Sequence, residues 1–267
     1  GGSGGRIAIY LSEYMLFNGD LVATGGSGSY PGGPGTVYVQ SQVGDDVWRE
    51  LWIDNVNRGT VNSCSYPTNI DNTRLDKIHL NNRACAVPLN TPAYFDHIHE
   101  GNGQLKVNNG ITLYIAYDRL RDAVGANLYT VEGSKVILPP TTYIEEFMTV
   151  HGNLIGLEHL YTRGTSAFYY TGSASGNEGT SLTGKYFLST MTVMNNGKVQ
   201  LIDDDYVISE GLDVMTQYFH IQHSSTVEVT YSASLISWVF DIEKAGVITG
   251  DGKGYEKKTG PGAGQSC

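Results

Sequence analysis

The side chains best suited to bind a metal ion lie in two short clusters. His97 and His99 alternate along an apolar segment, so both imidazoles are expected on one face of a strand, opposite Ile98. A run of three carboxylates follows a later apolar segment, at Asp203, Asp204 and Asp205. Carboxylate oxygens suit calcium, but the EF-hand spacing is absent and a solvated strand and a charged loop are the commoner explanations. We therefore predict no resident cofactor, with calcium as the one candidate ion.

Acidic and basic side chains that could serve catalysis are present, but no motif groups them. Glycoside cleavage needs two carboxylates held across the scissile bond, and elimination from an acidic polysaccharide needs carboxylates that bind calcium and a basic residue. The candidates are Arg119, Arg121, Glu145, Glu146, Asp204 and Asp205. The sequence has no nucleophile elbow, P-loop or dinucleotide fingerprint. We therefore predict a protein that is not an enzyme, with a polysaccharide lyase or glycosidase as the alternative.

Two tryptophans offer a contact for carbohydrate. Trp48 and Trp52 lie four residues apart on an alternating segment, so they are expected to share one face of a strand with Glu50. Tryptophan rings stack on sugar rings through their apolar faces. Packing in a core explains the same spacing, so the sequence leaves both interpretations open.

Three cysteines bear on the redox environment. Cys64 and Cys85 are 21 residues apart, which is close to one turn of many β-helices. In a secreted protein these two would form a disulfide that joins neighbouring turns. Cys267, the last residue, would then be left for a partner outside this segment. The alternative is three free thiols in a reducing compartment.

Composition narrows the class of protein. The chain has 27 acidic and 17 scattered basic residues, a net charge of −10, and this excludes nucleic acid as a partner because phosphate binding needs clustered Lys and Arg. No run of apolar residues is long enough for a membrane span. Charged residues make up only 16% of the chain, and Gly, Tyr, Asn, Ser and Thr take their place. These residues favour turns and sheet surfaces over helices, so the composition predicts an all-β protein.

A short unit recurs along the middle of the chain. It consists of an alternating apolar strand, a turn with Gly, Asn or Ser, and a second alternating strand, and its clearest copy spans residues 95–107. The inward apolar residues before the turns are Ile98, Val131, Val150, Val193, Ile221 and Ile242. Their irregular spacing, with a minimum of about 20 residues, is typical of solenoids. We predict a parallel β-helix in which Gly and Asn supply left-handed backbone at the turns. A β-sandwich is the alternative, disfavoured because the sequence shows no clean two-residue hairpins.

The two ends of the chain resemble glycine-rich modules of very large extracellular proteins. The resemblance rests on GGSGGRIAIY at 1–10, GPGTVYV at 33–39, GDGKGY at 250–255 and GPGAG at 260–264. Residues 95–107 are similar to the pectin-lyase-like superfamily of right-handed parallel β-helices. These resemblances imply one segment of a tandem array with a right-handed β-helix between its ends, and no catalytic residue carries over.

The predicted organisation has three parts. Residues 1–40 form a glycine-rich opening segment with the first strands, residues 41–249 form the β-helix body with a flexible loop near 170–184, and residues 250–267 form a glycine-rich closing segment. We expect a secreted, extracellular or cell-surface structural or adhesive module, one segment of a larger repeat or fibrous assembly. Its expected partners are other copies or segments of the same large protein, and matrix polysaccharide. The alternative function is a β-helix protein that binds or degrades polysaccharide.

Overall fold

The protein is all-β, as its composition predicts. The computed structural model describes residues 4–12, 22–25, 33–55, 64, 67–99, 103–116, 127–131, 133–144, 147–150, 152–170, 185–194, 196–203, 212–230 and 233–250. Within these ranges the chain forms strands and no α-helix. It follows that the described residues include no helical segment with the length and hydropathy that crossing a bilayer requires.

The strands are short, between three and nine residues. In chain order they are β1 (Arg6–Leu11), β2 (Gly35–Val43), β3 (Asp46–Asp54), β4 (Thr68–Ile70), β5 (Arg74–Asn81), β6 (Cys85–Pro88), β7 (Ala93–His99), β8 (Gln104–Val107), β9 (Thr112–Ile115), β10 (Asn127–Thr130) and β11 (Lys135–Ile137). The second half contains β12 (Thr141–Ile144), β13 (Phe147–Val150), β14 (Asn153–Ile155), β15 (His159–Thr162), β16 (Thr165–Tyr170), β17 (Lys185–Val193), β18 (Lys198–Asp203), β19 (Asp213–Ile221), β20 (Thr226–Thr230), β21 (Ser234–Ile242) and β22 (Val247–Thr249).

Three sheets collect these strands, and their pairing is parallel except between β2 and β3. Sheet A has the order β1-β2-β3-β5-β7-β9-β11-β14, sheet B the order β4-β6-β8-β10-β13-β16-β18-β20-β22, and sheet C the order β12-β15-β17-β19-β21. Successive strands of the chain therefore alternate between sheets from β5 onwards. From β5 onwards, neighbours in a sheet are strands that lie two or three positions apart in chain order. Parallel pairing requires such crossover connections between sheet neighbours.

Inward side chains stack in columns because the registers repeat from strand to strand. In sheet B one column runs through Ala86, Leu105, Leu128, Met148, Ser166, Val199, Val227 and Ile248. In sheet C one column runs through Thr142, Leu160, Met191, Phe219 and Phe240, and another through Ile144, Thr162, Val193, Ile221 and Ile242. All of these residues are buried except those of the last strands, β21 and β22.

Some of the predicted inward positions lie in these columns and others do not. Val193, Ile221 and Ile242 pair with one another in register on β17, β19 and β21, so this part of the stacking prediction is confirmed. Ile98 lies in sheet A, where it pairs with Ile78. The remaining two positions do not pair: Thr130, and not its neighbour Val131, is the partner of Val150. The sequence spacing therefore missed the partner of Val150 by one residue.

Several turns between strands use left-handed backbone, although not only where glycine or asparagine is present. Gly110, Gly133 and Asn196 have φ between 63° and 79°, as the sequence predicts. Ser224 and Ala245 adopt the same conformation, with φ of 57° and 64°, at the turn positions equivalent to Asn196. The prediction was too narrow here, because the stacked turns impose one conformation on whichever residue occupies them.

A hairpin between β2 and β3 contradicts the expectation that clean two-residue hairpins are absent. The two strands pair antiparallel from Gly35 with Asp54 to Val43 with Asp46, and Gly44 at φ 62° begins the two-residue turn. Gly-Asp between alternating segments is a recognised signal for such a turn. The predicted boundary at residue 40 falls within β2, and the division of the chain into three parts stays a prediction.

A disulfide joins Cys64 to Cys85, the two cysteines that the sequence spacing pairs. Their sulfurs are bonded at 1.98 Å and their Cα atoms are 5.0 Å apart. Cys85 is buried as the first residue of β6, and Cys64 precedes β4, the strand that pairs with β6. The bond therefore connects β6 to the segment that precedes β4, at the end of sheet B that begins with β4. Cys267 lies outside the described residues.

We predict that removing this disulfide lowers the free energy of unfolding by about 3 kcal/mol, because the unfolded chain regains the freedom of a closed loop of about 20 residues. The change is the double variant Cys64→Ala with Cys85→Ala, measured by urea unfolding. A reductant should bring the original protein to the level of the variant and leave the variant unchanged. Cys267→Ala is the control and should unfold like the original protein. Equal stability of the double variant and the original protein would contradict the prediction.

Candidate functional site

The two tryptophans lie on β3, on the face opposite the main core. Leu51 and Ile53 of the same strand are buried in that core, so the alternation of the strand directs Trp48, Glu50 and Trp52 to the other side of sheet A. We call Trp48, Glu50, Trp52 and His79, which pairs with Trp52 from β5, the tryptophan face.

Trp52 has a structural role in this face. Its ring stacks on the imidazole of His79 with centroids 4.5 Å apart and planes 9° from parallel. It also packs against a small second cluster of buried residues formed by Ala23, Val37 and Val39. Trp52 is therefore half-buried in packing contacts, whereas the sequence left packing and sugar contact open.

Trp48 is the member of the face that solvent reaches. Its side chain is 40% exposed, and its indole Nε1–H donates a hydrogen bond of 2.5 Å to Glu50 Oε1. His79 Nε2 lies 3.2 Å from the other carboxylate oxygen of Glu50. Glu50 therefore fixes the orientation of Trp48 and of His79 at the same time, and it holds an exposed indole in one position.

The electrostatics of Glu50 reflect these partners. Burial raises the pKa of the carboxyl, but hydrogen bonds from His79 and Trp48, together with the positive charges of His79 and Lys77, outweigh burial. The pKa of Glu50 therefore lies below its ordinary value of 4.5. The ionised form is the one that the face stabilises.

A charge network beside the tryptophan face was not anticipated from the sequence. The backbone N–H of Arg49 donates a hydrogen bond of 2.6 Å to the buried carboxylate of Asp76. The guanidinium groups of Arg49 and Arg74 lie 3.7 Å and 4.0 Å from the same carboxylate. Arg74 also reaches Asp96, at 3.4 Å. The network ties β3, β5 and β7 together on their outer side.

A spacing in the sequence could have revealed this arrangement. Leu75 and Ile78 are both buried although they are three residues apart, and Phe95 and Ile98 repeat the pattern on the neighbouring strand. Strict alternation would place one member of each pair outside. The register of the two strands skips Asp76 and Asp96 at this point, between the pairs Leu75 with Phe95 and Lys77 with His97.

Stacked aromatic side chains extend along the outer surfaces. Tyr94 stacks on Tyr114 in sheet A, and Tyr143 stacks on Tyr161 in sheet C, each pair with centroids 4.7 Å apart. Tyr94 is exposed and pairs through its backbone with Arg74. The outer surface of sheet A therefore presents exposed aromatic rings at both Trp48 and Tyr94, on strands separated only by β5.

The histidine positions are only partly described. His97 is half-buried on β7 and pairs through its backbone with Lys77, while His99 pairs through its backbone with His79 and its side chain is outside the described part. His220 lies on β19 of sheet C, close to Glu243 and Asp241. The histidines are thus on different sheets.

No metal centre assembles in the described ranges, where no three His, Cys, Asp or Glu side chains converge. Asp203 ends β18, and its side chain lies outside the described part, as do Asp204 and Asp205. The catalytic candidates Arg119, Arg121, Glu145 and Glu146 also lie outside the described residues. The metal and enzyme hypotheses therefore stay predictions from the sequence.

A second polar cluster lies on the outer surface of sheet C. Tyr218 donates a hydrogen bond of 2.7 Å to Asp241 Oδ2, and His220 Nε2 lies 3.1 Å from Glu243 Oε1. The hydrogen bond to Asp241, with the nearby negative charges, raises the pKa of the Tyr218 phenol. These contacts couple β19 to β21, the last strand of the sheet.

We predict that the stabilising effect of Glu50 decreases in acid. Because its pKa is lowered in the folded state, the carboxylate stabilises the fold above the pKa of the unfolded chain, and the effect is lost as pH falls through the folded value. Urea unfolding of the protein and of Glu50→Gln should show a difference in free energy at neutral pH that shrinks below about pH 4. A difference that stays constant between neutral pH and pH of about 3 would contradict this assignment.

Comparison with known proteins gives no matching family model, no matching curated protein and no matching solved structure. The resemblance of the chain ends to glycine-rich extracellular modules therefore stays a prediction from residues 1–10, 33–39, 250–255 and 260–264. Function has to be argued from the fold and from the surfaces described above.

Proposed function

We propose that the protein is a non-catalytic extracellular or cell-surface scaffold module whose three sheets are the walls of a right-handed parallel β-helix. The observation that supports this best is the column of inward residues in sheet B, from Ala86 to Ile248, in which each residue pairs with its counterpart one circuit away. Between β10 and β16 the chain visits sheets B, A and C in a repeated order. Crossovers between parallel strands are almost always right-handed, and this supports the proposed hand.

A scaffold role fits the way the strands are held together. Each strand of sheets B and C is bonded to its neighbours along its length, the core is continuous from Leu51 to Val227, and a disulfide joins β6 to the segment that precedes β4 near one end. In such quasi-linear structures, stability accumulates from contacts between successive units. A long, laterally bonded stack resists bending, as a load-bearing or spacing element requires. The disulfide also favours an oxidising, extracellular setting.

The proposed partners are other copies or segments of the same large protein. The glycine-rich ends support a tandem arrangement through their resemblance to modules of large extracellular proteins. The low share of charged residues, 16%, is below the roughly 25% usual for soluble domains. A surface with few charges favours lateral and end contacts between copies.

We predict that the purified chain self-associates with increasing concentration and that its native parent is found in an extracellular matrix or cell-surface fraction. Analytical ultracentrifugation measures the first property and fractionation of source material the second. The expected result is a sedimentation coefficient that rises with concentration, because apolar surface remains exposed after folding. A chain that stays monomeric at all concentrations, with a parent found only as a free soluble monomer, would overturn the scaffold proposal.

A second candidate function is polysaccharide binding on the outer surface of sheet A. The observation that favours it is the exposed indole of Trp48, which Glu50 orients, with the exposed ring of Tyr94 two strands away in the sheet. Aromatic rings held in place on a flat sheet suit stacking on sugar rings, since little conformational freedom is lost on binding. Trp52 does not contribute, because its ring is held in packing contacts.

We predict that Trp48→Ala weakens binding to any polysaccharide found on a glycan array by roughly tenfold, a loss that corresponds to about 1.4 kcal/mol. Phe187→Ala, which removes an exposed aromatic ring from sheet C, is the matched control and should bind like the original protein. Unchanged binding by Trp48→Ala would remove this candidate site. Release of unsaturated or reducing ends from the bound polysaccharide would instead favour the lyase or glycosidase alternative.

A further inference from the structure

We infer that the last strand, β21, is the docking edge for a second copy of this chain, which meets it head to tail through its first strand, β1. The inference rests on the proposed scaffold function and names the contact through which copies would join. It is carried by three observations: uncovered core columns, an open strand edge at each end, and opposite charges beside the two edges.

Three core columns end in exposed side chains. Leu160, Met191 and Phe219 are buried, but the next member of their column, Phe240, is 44% exposed. The other column of sheet C ends in Ile242 at 46%, and the column of sheet B ends in Ile248 at 40%. The apolar core is therefore exposed to solvent at β21 and β22. The register of these strands would allow further strands to pair there and cover it.

The apolar surface at this end is as large as a protein interface. Seven side chains of the two last strands are at least 40% exposed, and the list is Ile236, Trp238, Val239, Phe240, Ile242, Val247 and Ile248. Together they present on the order of 700 Å², close to the roughly 800 Å² that each partner contributes to a standard interface. Trp238 alone is 85% exposed. Patches of this size mark contact surfaces.

The composition of the segment that follows argues against it as the cover. Residues 251–267 contain six glycines or prolines and, apart from these, only Tyr255, Ala263 and Cys267 as apolar side chains. Three such residues cannot replace the inward side chains that a further layer would supply. An alternating apolar strand is the kind of segment that would supply them.

The first strand of another copy meets that requirement. In the described part of the chain, β1 is the terminal strand of sheet A, paired with β2, and β21 is the terminal strand of sheet C, paired with β19. Ile7 and Tyr10 of β1 are exposed, and its sequence RIAIYL alternates polar or small with apolar residues. Pairing of the two strands would give hydrogen-bond partners to the backbone N–H and C=O groups of both edges, and it would cover apolar side chains on each.

Charge favours this head-to-tail arrangement over pairing of two identical ends. Asp241 and Glu243 place two carboxylates around His220 beside β21, with Lys244 in the adjoining turn. Arg6 begins β1 and is exposed. Two β21 edges would bring like carboxylates together, whereas β1 against β21 brings Arg6 towards them. Contacts between different surfaces of identical copies propagate into open assemblies.

The test uses one lysine substitution at each edge of the full chain. Trp238→Lys blocks the β21 edge, and Ile7→Lys blocks the β1 edge, with Tyr10→Lys as a second β1 variant. All three positions are exposed, so folding should be retained and is checked by circular dichroism and urea unfolding. Leu89→Lys, at an exposed leucine after β6, is the matched control.

We expect sedimentation to show that Trp238→Lys and Ile7→Lys each weaken self-association at least tenfold, while Leu89→Lys associates like the original protein. A mixture of Trp238→Lys and Ile7→Lys should form a dimer and nothing larger, because each variant retains the edge that the other lacks. Normal association of Ile7→Lys and Tyr10→Lys with loss in Trp238→Lys would overturn the head-to-tail contact in favour of identical ends. Normal association of all variants would overturn the docking edge and leave the scaffold function standing, whereas a monomeric original protein would remove both.

Discussion

The rest of the structure depends on the parallel, in-register pairing of successive strands. Backbone hydrogen bonds fix neighbouring strands at about 4.8 Å, so each inward side chain must pack directly on its counterpart. Polar residues inside the columns are accepted because they bond locally: Thr162 and Ser166 lie 3.0 Å apart through their hydroxyls, and Thr130 accepts the N–H of Gly152 at 3.1 Å. At Gly197 a Cβ atom would lie 2.7 Å from the carbonyl oxygens of Met194 and Thr162, so the turn admits only glycine there.

The same register arranges the outer surface. Since residues at equivalent positions lie one above another, Tyr94 stacks on Tyr114 and Trp52 stacks on His79. A surface that stacks its aromatic and polar side chains in this way is ordered without being buried. On the tryptophan face, His79 of β5 contacts Glu50, and Glu50 in turn holds the indole of Trp48.

The sequence predicted what local alternation determines. The all-β class, the stacked positions Val193, Ile221 and Ile242, and the face that Trp48 shares with Glu50 all follow from a period of two along single strands. The contact of Arg49 with Asp76 joins residues 27 apart, and no local pattern specifies which strands become neighbours. The hairpin at Gly44 and the three-residue spacing of the buried Leu75 and Ile78 had local signals, but each departs from the period of two. The openness of the last strands was beyond sequence reasoning, because exposure depends on what packs outside a strand.

The disulfide lies near one end of the stack, and this gives the molecule a mechanical polarity. Pulled by its termini, the protein would first lose the strands at the sheet edges, β1 at one end and β21 and β22 at the other, because their outer sides carry no further strand in the described chain. Peeling would proceed layer by layer until it reached the covalent bond between Cys64 and Cys85. The residues between the two cysteines cannot be extended by the force, because the disulfide carries it. The protein therefore keeps one short section that does not lengthen after the other strands have separated.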